Sequence, residues 1–167
     1  MVDSTIWHIG KVVIGHQAAS GKLAYQNIGG SIKAQKREFR ERGFNIDHLF
    51  DGTINIEIAP KTWRPVKSNR TFLYVDWHHA APIEHFSFFD CKVKFSNQIY
   101  NAFIYLSHPE TKKIHRHPFS RLEIIAQKIP YLSYGKTIEF CISSEFVIVS
   151  DDIDVLNQVA TRDKNIY

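Results

Sequence analysis

Eight stretches of this chain alternate apolar with other residues, or run wholly β-branched and aromatic. They lie at Ile6 to Ile14, Thr53 to Ile58, Thr71 to Trp77, Phe86 to Phe95, Ile99 to Leu106, Leu122 to Ala126, Thr137 to Ile142 and Glu145 to Val149. Successive side chains of a strand point to opposite faces, so a period of two predicts strands with one buried side. The breaks between them are short and polar, and Ser96-Asn97-Gln98 and Ser143-Ser144 each read as a hairpin loop. About eight short strands with little helix predict a mainly β fold. The expected form is a small closed barrel of six to eight strands, with one or two short helices and one of them plugging an end.

The first helix is expected from Ser31, as N-cap, to about Arg42, with Gly43 placed to take the left-handed conformation that ends it. Ile32 and Phe39 mark its buried stripe. Glu38 with Arg42, and Arg37 with Glu41, are i,i+4 pairs on its wet side. Lys33, Lys36, Arg37, Arg40 and Arg42 are interleaved with glutamates and read as a solvated face. A second helix is expected from Ser150-Asp151-Asp152, with Ile153, Leu156 and Val159 on one stripe. The domain reading is therefore a barrel over residues 1–149 and a C-terminal helix and tail over 150–167.

Twelve phenylalanines, seven tyrosines and three tryptophans in 167 residues supply enough area for a core without disulfides or a structural metal. Cys91 and Cys141 both fall in strand runs and read as buried free thiols. No run reaches the roughly 20 apolar residues of a membrane helix, and Met1 to Thr5 carries no leader, so the cytoplasm is the expected compartment. A net charge of +4 suits phosphate-bearing ligands and is too small to argue for nucleic acid.

Three segments offer chemistry. Gly15, His16, Gln17, Ala18, Ala19, Ser20, Gly21 and Lys22 form a glycine-bounded loop after a strand. Its backbone could cradle phosphates with Lys22 as counter-charge, although an ordinary strand connection would carry the same residues and the spacing is not that of a P-loop. In Gly52-Thr53-Ile54-Asn55-Ile56-Glu57-Ile58 the isoleucines share one face and Thr53, Asn55 and Glu57 the other. Neutral oxygens two residues apart suit Mg²⁺ completed by water and phosphate; a solvent-facing strand is the plainer alternative. Glu123 is a lone acid in Leu122-Glu123-Ile124-Ile125-Ala126, either at a wet strand end or partly buried as a proton acceptor. The nine histidines have no spacing that completes a tetrahedral metal site; His78-His79 would point to opposite faces, and surface or loop positions are expected for all.

In order along the chain these elements resemble the archaeal CTP-dependent riboflavin kinases. The resemblance runs from Gly10-Lys11-Val12-Val13-Ile14-Gly15 through the helix ending Phe39-Arg40-Glu41-Arg42-Gly43-Phe44. It continues in Gly52-Thr53-Ile54-Asn55, similar to a Gly-Thr-Leu-Asn signature, and in the hairpin Lys92 to Tyr105. Leu122-Glu123-Ile124-Ile125-Ala126 and Tyr134-Gly135-Lys136-Thr137-Ile138 complete it, so that roughly residues 8 to 142 are covered. The resemblance implies a cradle-loop barrel that phosphorylates riboflavin to flavin mononucleotide with CTP, or another nucleoside triphosphate, and Mg²⁺. It implies Thr53 and Asn55 as metal ligands, and the loop Gly15 to Lys22 with Lys128, Ile129, Pro130 and Tyr131 as nucleotide contacts. Glu123 is implied as catalytic and flavin-binding, and His115 as flavin-side. The first loop carries Ala18, Ala19 and Ser20 where the family is denser in glycine, and Gln127 stands where it has proline. A non-catalytic flavin- or nucleotide-binding barrel is the alternative expectation, and a DNA-binding regulator a further one that the weak charge disfavours.

Overall fold

The computed structural model describes residues 6–15, 30–112 and 118–151. Among them are β1 (Trp7–Val13), α1 (Ser31–Glu41), β2 (Ile54–Glu57), β3 (Thr62–Pro65), β4 (Arg70–Val75) and β5 (Glu84–Phe95). β6 (Gln98–Ser107), β7 (Arg121–Ala126), β8 (Thr137–Cys141) and β9 (Val147–Ser150) complete the order. Each of the eight periodic runs contains a strand. The additional one, β3, is four residues long and holds Pro65, too short to display a period and marked by a residue that cannot donate to a ladder.

Six strands close on themselves in the order β5-β6-β7-β2-β1-β8, the last pairing back to β5. Closure depends on the twelve-residue length of β5. One of its edges pairs with β6 from Phe86 to Phe95. The other is shared, with Glu84 to Phe88 taken by β4 and Lys92 to Lys94 by β8. Asn69 spans the gap between the two partners: its N–H donates to the Phe88 carbonyl (3.0 Å) and its Oδ1 accepts from the Asp90 N–H (2.8 Å). The β5–β6 hairpin turns on Ser96 and Asn97, both at positive φ, the backbone that matches strand twist in a two-residue loop. Ser143-Ser144 is not a hairpin: β9 leaves β8 and pairs with β3. Trp63 and Val147 of that two-stranded ribbon join the barrel core.

The wall has two apolar faces. Ile56, Phe89, Val93, Ile104, Ile124 and Phe140 fill the barrel. Phe86, Phe88, Tyr105 and Ile125 point the other way and receive Ile32 and Phe39 of α1. The helix therefore lies against the outer wall instead of plugging an end. Phe39 meets Phe86 and Phe88 edge-on, with ring centroids 5.6 and 5.0 Å away.

The ends of α1 differ in part from expectation. Gly30, at φ 110°, is the N-cap and Ser31 the first helical residue, with no side-chain cap bond. Gly43 takes φ 87°, and the Phe44 N–H closes on the Phe39 carbonyl at 2.8 Å, the expected left-handed stop. Arg37 pairs with Glu41 at 2.9 Å. Arg42 instead donates to the carbonyls of Leu73 and Tyr74 (2.7 and 3.0 Å), which ties the helix end to β4. Lys36 is not on a solvated face: it is buried, its ammonium bonded to the Leu49 carbonyl and paired with Asp51 at 2.8 Å.

His78 and His79 lie beyond the end of β4, in a loop, with ring centroids 4.2 Å apart. Cys91 and Cys141 are buried and free. Ser150 closes β9, and the helix expected over 150–167 otherwise lies outside the described residues. No helix among the described residues is long and apolar enough to cross a membrane.

Candidate functional site

β2 runs antiparallel between β1 and β7, and one row of its register brings Val13, Asn55 and Glu123 side by side. Because Ile56 and Ile124 are committed to the barrel core, the alternate positions Thr53, Asn55 and Glu123 face out together. The Thr53 hydroxyl donates to Oε1 of Glu123 at 3.1 Å. The Asn55 amide nitrogen approaches Thr53 Oγ1 at 3.5 Å, a long contact that turns the amide oxygen away from the pair. Asn55 Oδ1 is buried and has no hydrogen-bond partner among the described residues. An unsatisfied buried acceptor of this kind costs about 1–3 kcal/mol.

Gly15 lies directly over that amide. A Cβ at Gly15 would come within 2.4–2.5 Å of the Asn55 side-chain atoms, so only glycine lets the backbone leaving β1 come this close. On the far side of Glu123, Lys112 Nζ lies 3.7 Å from Oε2. Tyr105 donates its hydroxyl to Gln35 of α1 at 2.9 Å. Burial raises the Tyr105 phenol well above its ordinary pKa, and the charges of Glu123 and Glu84 push the same way. Tyr105 is thus a neutral donor, directed at Gln35.

The donor set fits Mg²⁺. Thr53 Oγ1 and Asn55 Oδ1 are neutral oxygens of the kind suited to an ion that keeps several waters and takes its charge balance from phosphate, and a half-turn of the amide, whose Oδ1 has no partner among the described residues, would bring the two to one side. The Gly15 approach leaves backbone, not side chain, next to them. Chemically, the site combines a threonine hydroxyl, a side-chain amide, a carboxylate and a lysine.

The other expected contacts divide. His16, Gln17, Ala18, Ala19, Ser20, Gly21, Lys22 and His115 lie outside the described residues. Ile129 is part of the barrel core, which withdraws its side chain from any nucleotide contact. Lys128, Pro130 and Tyr131 are exposed, Tyr131 by 93% and at φ 61°. The chain beyond them returns to β1, where the Gly135 N–H donates to the Val12 carbonyl (2.7 Å) and Val12 to that of Lys136 (2.8 Å). This connection thus flanks the strand that delivers Gly15.

Sequence reasoning missed Lys112, which no motif marks, and the packing of Gly15 on Asn55, since a glycine at a loop boundary has several uses. It also placed every histidine on the surface or in a loop. His108 does lie in the turn after β6 but is fully buried there, its Nε2 2.7 Å from Ser87 Oγ and its Nδ1 3.2 Å from Glu110, while His8 and His85 stand on β1 and β5. Among the described residues no group of three or more His, Cys, Asp or Glu could hold a metal. A separate cleft of about 630 Å³ opens at the other end of β1, lined by His8, Arg70, Asp90 and Lys92 among others.

No family model matches this chain, and no curated protein matches it.

Proposed function

We propose that this chain is a kinase of the riboflavin kinase type. It transfers the terminal phosphoryl group of a nucleoside triphosphate, CTP by the resemblance, to a hydroxyl of riboflavin or a similar small alcohol, with Mg²⁺. The observation that carries the reading is Asn55 Oδ1, buried and without a partner among the described residues, beside a threonine hydroxyl that is itself bonded to Glu123. A polar atom kept buried without a partner calls for an explanation, and beside a hydroxyl and a carboxylate a bound ligand is the one that the resemblance supplies. Phosphoryl transfer asks for positioning and charge neutralisation more than for covalent chemistry, so a short set of residues suffices.

In this reading Thr53 and Asn55 would hold the cation. Bound there, Mg²⁺ supplies neutralisation of the phosphate charge. Gly15 begins the loop that would cover the nucleotide, and its own backbone packs closely against the Asn55 side chain. Glu123 accepts the proton of the attacking hydroxyl at a carboxylate oxygen, its rotamer fixed by the Thr53 bond.

The deciding experiment is formation of phosphorylated flavin from riboflavin, CTP and Mg²⁺ by the purified protein. Turnover with CTP above that with ATP, GTP or UTP is the expected result. If none of the four donors yields product, the kinase reading fails, and flavin or nucleotide binding without transfer would identify a binding protein.

A further inference from the structure

We infer that Lys112 is the acceptor-side phosphate ligand, a cation that faces Glu123 before transfer and the newly formed phosphomonoester after it. The inference rests on the kinase reading above. Lys112 Nζ lies 3.7 Å from Glu123 Oε2, longer than a hydrogen bond, and the two side chains are only 18% and 13% exposed. This is attraction between charges in a site partly shielded from water, where such attraction is stronger than at a surface.

Lys112 is held on a stiff base. Its N–H donates to the His108 carbonyl at 2.9 Å, as does that of Thr111 at 3.1 Å. The His108 N–H donates to the His85 carbonyl (2.9 Å), and the His85 N–H returns to Thr111 Oγ1 (3.0 Å). The turn is thereby stapled to β5, and a side chain carried on it is positioned rather than loose. Two nearby cations among the described residues are paired with other acids. Arg121, two residues before Glu123 on the same face of β7, binds Glu57 at 3.3 Å. Lys36 is paired with Asp51.

The charge balance of the reaction gives Lys112 its role. The acceptor hydroxyl oxygen forms a bond to the γ-phosphorus, and the bond from that phosphorus to the β,γ-bridging oxygen breaks. Its electron pair leaves with the nucleoside diphosphate, and the hydroxyl proton passes to Glu123. Negative charge in front of Lys112 thus leaves the carboxylate as a phosphomonoester appears beside it. One ammonium serves both anions in turn and favours the state in which phosphate has arrived.

The test compares binding of riboflavin and of flavin mononucleotide by quenching of flavin fluorescence, without nucleotide, in the parent, Lys112→Met and Lys112→Arg. Lys112→Met is expected to weaken flavin mononucleotide about tenfold or more and riboflavin less than about threefold, with Lys112→Arg close to the parent. A melting curve for each variant checks the fold, and Lys112→Gln replaces the Met variant if that one does not fold. Equal weakening of both flavins, or of neither, overturns the inference, while phosphate transfer by the parent leaves the kinase reading standing. A parent that makes no flavin mononucleotide from any nucleoside triphosphate overturns the kinase reading, and the inference with it.

Discussion

Asn55 carries a stability cost and, in the proposed reading, a binding function, and substitution separates the two. Its Oδ1 has no partner among the described residues, so Asn55→Ala removes an unsatisfied acceptor along with a small volume. The melting temperature should stay within about 3 °C of the parent, while affinity for the Mg²⁺–nucleotide falls about tenfold or more. Calorimetry on the two proteins checks this, and equal affinities would remove β2 from the site. Glu123→Gln keeps the shape and the bond from Thr53 but cannot take a proton at the replaced oxygen. Turnover should fall about a hundredfold with flavin affinity changed far less, read as kcat against KM. A structural carboxylate would instead give a lower melting temperature and no selective rate effect.

Helix α1 owes its position to the alternate face of the β5–β7 wall, and Lys36 joins it to the following turn. The Lys36 ammonium binds the Leu49 carbonyl and approaches that of Asp47 (3.4 Å), holding the 46–51 turn against the helix. Lys36→Met preserves the stem and leaves those carbonyls without their donor, so it should destabilise by about 1–3 kcal/mol. Chemical denaturation measures the loss; an unchanged midpoint would mean the turn holds without it. Such features bound what the sequence could disclose. The alternation in Thr53 to Ile58 disclosed β2, its core face and its polar face, and the lone acid in Leu122 to Ala126 disclosed Glu123. Charge interleaving in α1 gave the wrong environment for Lys36, because its partners lie 13 and 15 residues on, in a turn with no period. The resemblance puts Ile129 among the nucleotide contacts by its place in the segment alone, and its side chain lies in the barrel core. Lys112 stayed hidden because a turn, which carries no period, brings it to Glu123.

At the scale of the molecule, pH acts through histidines that the fold keeps from water. Burial lowers the pKa of His8, aided by the charge of Lys61. Burial lowers that of His108 as well, aided by His85 and opposed by Glu110. Both folded values lie below the ordinary 6.5, so between the two the unfolded chain binds more protons and stability rises with pH. The contribution is complete above about pH 6.5 and is lost as pH falls through the folded values. Melting temperatures between pH 7.5 and 5 should therefore decline, and His108→Gln should flatten the decline; an equal slope in both proteins would assign it elsewhere.

The wall formed by β2 and β7 has a consequence for how such a chain can change over generations. Ile54, Ile56, Leu122 and Ile124 serve the barrel core, whereas Thr53, Asn55 and Glu123 stand on the other side of the same backbone. Selection for folding and selection for chemistry therefore read alternate letters of two short strands. A library randomised at Thr53, Asn55 and Glu123 should retain folded members at high frequency, and one randomised at Ile54, Ile56, Leu122 and Ile124 should not. The outward residues Thr53, Asn55 and Glu123 can change without renegotiating the barrel interior.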